Sequence, residues 1–178
     1  MTTLDHEYVS WTQYIDLCER LVARVGLSGW KFDSLICLAR GGMRPGDVFS
    51  RVYGKPLAVL STSSYREEAG TVQGDLSISK HITGVDALKG KVLLVDDLCD
   101  SGKTISKVIV HLKHEFPEIE EIRVAAIWVK AQSVLLPDYY VVKFDGNPWI
   151  HQPFECYDDI SIERHLENCR KKFGEDHI

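Results

Sequence analysis

The chain has 178 residues, of which 44% are hydrophobic and 26% charged, and its formal net charge is −5. That length and balance suit one globular domain with a sizeable core, and the acidic excess gives no reason to expect nucleic acid or an anionic membrane as a partner. No apolar run approaches the ~20 residues of a membrane span, the opening "MTTLDHEYVS" lacks the basic and apolar regions of a signal peptide, and five scattered cysteines without a C-x-x-C pair imply reduced thiols in a cytosol.

In chain order, Ser10 and Gln13 fit a capping box, and Tyr14, Leu17, Leu21, Val22 and Val25 recur at helical spacing up to Gly26, a plausible stop. "SLICLA" (34–39) reads as a short buried strand, "RGGMRPG" after it as a loop, "DVFSRVYG" as a helix ending at Gly54, and "LAVLSTSS" as a second strand. From Tyr65 to Gly90 the chain is polar and weakly periodic, with room for a hairpin where "GDLSISKHITG" partly alternates. "KVLLVDD" is a third strand, followed by a helix marked by Ile105, Val108, Ile109 and Leu112; "IRVAAIWV" and "YYVVKF" are the fourth and fifth strands. Apolar strands alternating with helices predict an α/β fold, a mainly parallel twisted sheet flanked by helices. Ligands of such sheets bind outside the carboxyl ends of the strands. There the loops after Ala39, Asp97 and Val129 carry Arg40, Asp100 and Lys130.

The stretch "KVLLVDDLCDSGKTIS" (91–106) carries the most chemistry. Gly-Lys-Thr after a strand suggests a nucleotide-binding G-x-x-x-x-G-K-[ST] loop, but Asp97 stands where its first glycine belongs, and a carboxylate there would face the phosphates. Ser101 to Thr104 still suit a phosphate, because amides in a turn that opens a helix form an anion nest. Asp96 and Asp97 suit a diol or a magnesium ion, a hard cation that prefers oxygen ligands. Phosphate on one side, with hydroxyls and metal on the other, describes a sugar phosphate.

"VLLVDDLCDSGKT" resembles the signature of the type I phosphoribosyltransferases: four apolar residues, two acids, two spacers, then Asp-[Ser/Thr]-Gly-x-Thr. "ARGGMRPG" (39–46) resembles the same family's pyrophosphate loop, while "WVK" (128–130), "WIHQPFE" (149–155) and "YVSW" (8–11) are similar to segments of the xanthine-guanine and related 6-oxopurine enzymes. The resemblance implies the family's fold with a small hood over the sheet. The single domain (1–178) then has a core of roughly 8–145 and a hood and base-binding segment of roughly 146–160; the tail of 160–178 lies outside the resemblance and reads by its own pattern as a helix up to about Phe173, packing on the body or on a partner subunit. The resemblance also implies transfer of the ribosyl phosphate of 5-phosphoribosyl-1-pyrophosphate (PRPP) to a purine, with Mg2+, in a cytoplasmic homo-oligomer (dimer or tetramer) acting in purine salvage.

Carried over by position, Asp96 and Asp97 hold the ribose hydroxyls, Asp97 also facing the metal. Ser101, Gly102, Lys103 and Thr104 bind the 5-phosphate, and Asp100 lies near the incoming base as general base or charge stabiliser. Arg40, Gly41 and Gly42 bind pyrophosphate across a cis peptide expected at Ala39–Arg40. Ser64 and Tyr65 belong to a closing lid, Lys130 meets the 6-oxo group, Trp149 stacks on the ring, and backbone groups of Ile150 and His151 read the C2 edge. Two positions depart from the pattern: His151 stands in place of an acid and Glu155 in place of an aspartate. Other readings of the residues are a phosphoribosyltransferase for a different base, a PRPP-sensing regulator without catalysis, and a pure interaction domain. The last does not need Arg40, Asp97, Asp100 and Lys130 together at strand ends.

Overall fold

The computed structural model describes residues 5–66, 73–158 and 160–177. The chain enters through a short strand, β1 (His6–Tyr8), and forms α1 (Trp11–Leu27). The capping box is in place: Ser10 N donates to Gln13 Oε1 at 2.8 Å and Gln13 N donates to Ser10 Oγ at 3.3 Å, so two N–H groups orphaned at a helix start find acceptors. Tyr14, Leu21, Val22 and Val25 bury the inward face. Gly26 does not end the helix. The chain reverses at Gly29, with φ 71°, and Gly26 instead leaves room for the Tyr53 hydroxyl, 3.3 Å from where a Cβ would sit.

Six strands make the main sheet: β2 (Ser34–Ala39), β3 (Leu57–Arg66), β4 (Gln73–Ile78), β5 (Gly90–Cys99), β6 (Ile119–Val129) and β7 (Tyr139–Lys143), in the order β4-β3-β2-β5-β6-β7. All neighbours are parallel except the edge pair β3–β4; the hairpin expected in 65–90 has only its second strand there, since β4 pairs with the end of the preceding β3. Successive side chains of a strand face opposite sides, and the core divides accordingly. Leu35, Cys37, Leu93, Val95, Ala125 and Ile127 pack in one cluster with α1. Ile36, Leu38, Val92, Leu94, Val124 and Ala126 pack in the other with α3 (Lys103–Glu115). With both faces covered, β2 and the buried stretches of β5 and β6 read as nearly continuous apolar runs.

The helix α2 (Met43–Tyr53) begins earlier than its sequence pattern indicated, so "MRPG" is helix and not loop. Pro45 lies in the first turn, where a missing N–H costs nothing. Gly46 lets the helix approach β2, since a Cβ there would lie 2.9 Å from Cys37 Cβ.

A second, two-stranded sheet pairs β1 with β8 (Trp149–His151), both too short to be read from periodicity. The tail forms α4 (Ile162–Phe173), capped by Ser161. It matches the helical reading, yet it buries none of its residues on the rest of the described chain. Among the described residues no helix is long and apolar enough to cross a membrane.

Candidate active site

The loop from β2 to α2 contains the expected cis peptide at Ala39–Arg40. Glycine is required at the next two positions by close approach. A Cβ on Gly41 would collide with the Asp97 carboxylate, and one on Gly42 with the carbonyls of Val95 and Leu38. This brings the loop backbone against the end of β5. The Arg40 side chain is largely exposed and reaches Asp158 Oδ1 at 3.3 Å. A solvent-exposed pair of this kind is worth at most about 1 kcal/mol, so the guanidinium can exchange it for a ligand.

At the end of β5 the pleat sends Asp96 and Asp97 to opposite sides of the sheet edge. Asp97 is buried, and its Oδ2 accepts a 2.7 Å hydrogen bond from Gln152 Nε2. Asp96 Oδ1 accepts from the Asp97 amide at 3.0 Å. Burial, and after it the negative charge of Asp97, pushes the Asp96 carboxyl well above the usual carboxylate range. The adjacent carboxylates of Asp96 and Asp97, neither of which is paired with a cationic side chain among the described residues, suit a divalent cation. Among the described residues no group of three His, Cys, Asp or Glu forms a full metal cage. Magnesium characteristically takes one or two carboxylates and completes its shell with substrate oxygens and water, so this donor set is of a kind that fits Mg2+.

The turn after β5 opens α3. Gly102 sits at the helix N-cap with φ 73°, and a Cβ there would press on Ser133 Oγ at 2.7 Å and Leu135 N at 2.8 Å. No side chain caps this helix start, apart from a long 3.4 Å contact of the Lys103 amide with Ser101 Oγ. The uncapped first-turn amides, the hydroxyls of Ser101 and Thr104 and the exposed Lys103 make a helix start that can accept an anion.

Asp100 is half-exposed and lies between two donors from the loop after β6. Gln132 Nε2 donates to Asp100 Oδ1, and Lys130 Nζ is 3.4 Å from the same oxygen. Lys130 is only 8% exposed. Its ammonium also lies 6.0 Å from the Trp149 ring centroid, and half of the Trp149 surface is open to solvent, so the ring offers a free face. Trp128, by contrast, is core.

Ile150 is buried. The ring of His151 turns away toward β1: it stacks on Tyr8 at 4.3 Å and places Nε2 2.8 Å from His6 Nδ1. Its carbonyl accepts from Val9 N at 3.0 Å. Parallel pairing through Trp149 and His151 leaves the backbone groups of Ile150 on the opposite edge of β8. Of the four base-pocket candidates, Lys130 and Trp149 are thus brought together, Ile150 adjoins Trp149 in β8, and the ring of His151 turns away from them toward Tyr8 and His6. Ser64 and Tyr65 fall in the outer part of β3; their side chains, and the lid stretch 67–72, lie outside the described residues.

A cleft of about 1090 Å³ opens between α1, α2, the end of β5 and residues 152–158, reaching Arg40, Gly41, Asp97 and Asp100. Phe154 forms part of its wall, with the Arg44 guanidinium 3.6 Å above the ring. Gln132 and Gln152 are site residues that sequence reasoning missed. Each is a single amide within three residues of a strand end, in "KAQS" and "WIHQP", a pattern that does not name its partner.

The comparisons with known proteins agree with this geometry. The family profile described as "Phosphoribosyl transferase domain" matches residues 6–159. The xanthine-guanine phosphoribosyltransferase of Idiomarina loihiensis is 27% identical over 151 residues, covering 84% of this chain and 87% of that protein. The crystal structure of a purine phosphoribosyltransferase from Pyrococcus horikoshii is similar with a TM-score of 0.70 at 33% identity, over 85% of this chain and 95% of that one. The xanthine-guanine-hypoxanthine phosphoribosyltransferase of Helicobacter pylori gives a TM-score of 0.70 at 25% identity, over 93% and 99%. With the signature acids at the end of the central strand and a family match spanning nearly the whole chain, this protein belongs to the phosphoribosyltransferase family of enzymes.

Proposed function

We propose that this chain transfers the 5-phosphoribosyl group of PRPP to N9 of a 6-oxopurine (guanine, xanthine or hypoxanthine) and releases pyrophosphate, as a cytoplasmic homo-oligomer in purine salvage. The names of its relatives support the substrate class. The observation that carries it is the placement of Lys130. Its buried ammonium stands beside the open face of Trp149 and 3.4 Å from the Asp100 carboxylate. An ammonium has donors and no acceptor, and a carboxylate has acceptors only. The 6-oxo oxygen and the N7 proton lie side by side on one edge of the ring and match that pair. Adenine presents a 6-amino donor to the lysine instead, so two donors would face each other.

In the reaction the bond from C1 to the pyrophosphate oxygen breaks, its electron pair leaves with pyrophosphate, and the N9 lone pair forms the new bond to C1 with inversion. Asp96 and Asp97 hold the ribose hydroxyls, and the 101–104 turn holds the 5-phosphate. Fixing both reactants in this way converts an encounter into an oriented attack. Arg40 and the amides of Gly41 and Gly42 take up charge on the leaving group. Asp100 takes the N7 proton or stabilises the charge that the base acquires. Mg2+, when bound, supplies further neutralisation of the pyrophosphate. Ser64 and Tyr65 close over the site to keep water from competing for C1.

The test is base-dependent release of pyrophosphate from PRPP in the presence of magnesium. Release with a 6-oxopurine and none without a base is the expected result; no release with any base removes the proposal.

A further inference from the structure

Among the described residues two buried polar side-chain atoms have no hydrogen-bond partner, the Tyr14 hydroxyl and Gln152 Oε1. Both residues line the cleft that also contains Asp97. Gln152 uses its donor on Asp97 Oδ2, at 2.7 Å, and leaves its acceptor empty. A half-satisfied buried amide is disfavoured on stability grounds alone.

The backbone of Gln152 is fixed from both sides. The paired strand β8 ends at the residue before it, and its carbonyl accepts from Glu155 N at 3.0 Å in the turn that follows. The side chain therefore reaches Asp97 from a rigid anchor. On its other side the Asp97 carboxylate packs where a Cβ of Gly41 would stand. Asp97 is thus clamped between the pyrophosphate-loop backbone and Gln152, and the bond from Gln152 is the one side-chain hydrogen bond it accepts among the described residues.

We propose that Gln152 is a positioning residue for PRPP: it holds the Asp97 carboxylate in the orientation that receives the ribose and the metal, and it ties the segment after β8 to the end of β5. This rests on the proposed use of PRPP. Gln152 acts through Asp97 and touches neither reacting atom, so its loss should appear in PRPP affinity and not in turnover at saturation. Removal of binding shared by ground and transition state raises KM and leaves kcat in place.

Titration calorimetry with Mg·PRPP and no base reads binding without catalysis. Gln152→Ala should weaken PRPP binding about 10- to 100-fold, the loss expected when a hydrogen bond to a charged group is removed. Gln152→Glu, similar in shape but setting a second carboxylate against Asp97, should weaken it at least as much. In both, kcat at saturating PRPP should stay within about threefold of the unaltered enzyme. Hydrogen exchange at residues 149–158 of the ligand-free protein gives a readout independent of PRPP, and both variants should exchange faster there. Unaltered PRPP affinity in both variants overturns the role. So does a parallel fall of kcat, PRPP affinity and Tm, which marks a merely structural residue. If the unaltered protein does not bind Mg·PRPP, the proposed function fails and this role fails with it, whereas binding by the unaltered protein that Gln152→Ala equals removes the role of Gln152 alone.

Discussion

Lys130→Met separates the substrate reading from the stability of the fold. Methionine fills the volume of the lysine stem and removes the ammonium. At 3.4 Å from Asp100 the lost attraction is about 5 kcal/mol for an effective dielectric of 20 and about 1 kcal/mol in water. The half-exposed carboxylate places the pair near the lower figure, because water can replace the lysine at Asp100. For a chain of this size about 1 kcal/mol shifts Tm by roughly 2–4 °C, so the variant should fold and melt close to the unaltered protein. Catalysis should change far more. A hydrogen bond from a charged donor is worth about 1.5–3 kcal/mol, which at about 1.4 kcal/mol per factor of ten is a loss of roughly 10- to 150-fold in kcat/KM for hypoxanthine or guanine. Adenine should lose nothing, since the donor facing its amino group is gone, and the preference for 6-oxopurines should narrow accordingly. Steady-state kinetics with each base at saturating PRPP, beside a melting curve, make the comparison. A Lys130→Met enzyme that turns over hypoxanthine at the unaltered kcat/KM refutes the reasoning.

Asp100→Asn keeps the shape of the side chain and removes the base, so kcat should fall about 10²- to 10⁴-fold while calorimetry finds PRPP affinity unchanged; an unaltered kcat contradicts the assignment. Tyr14→Phe removes a buried hydroxyl that has no N or O partner among the described residues and only the Cys18 thiol beside it, which relieves up to about 1–3 kcal/mol and should raise Tm by up to a few degrees; a clear fall in Tm shows that the hydroxyl has a stronger partner in solution. Asp96 gives a pH signature. Its folded carboxyl is raised above its unfolded value by burial and by Asp97, so the folded protein is penalised as pH rises from the ordinary carboxylate range through the raised one. Ligand-free Asp96→Asn should therefore melt above the unaltered protein at about pH 8, with the gap closing toward about pH 4; a gap independent of pH shows that the carboxyl is not raised.

The sheet was legible because the physics that builds it is local. Strands buried on both faces must be apolar throughout, and "VLLV" and "VAAIWV" say so directly. The turn that opens α3 was legible for a similar reason, since a positive φ at the start of the helix and close contact with the 133–135 loop both demand glycine at position 102. Two boundaries were misread because single residues act in context. Gly26 suits a helix end, yet it serves the packing of Tyr53 inside one, and Pro45 looks like a loop residue until it falls in a first helical turn. Gln152 and Gln132 were out of reach for another reason. Each matters through a hydrogen bond across a long stretch of chain, to Asp97 and Asp100, and nothing in the local pattern of an amide names its partner. The turning of His151 onto Tyr8 and His6 depends in the same way on the pairing of β1 with β8, two strands of three residues each.

The most direct test of the central claim is kcat/KM for guanine, xanthine, hypoxanthine, adenine, orotate and uracil, measured with PRPP and magnesium in one assay. A site that presents Lys130 as donor beside Asp100 should accept at least one 6-oxopurine and disfavour adenine by as much as 10⁴-fold, the scale at which a buried polar group left unpaired discriminates between substrates. If adenine or a pyrimidine is used better than every 6-oxopurine, Lys130 does not read the 6-position and the purine pocket built from Lys130, Trp149 and Ile150 is wrong.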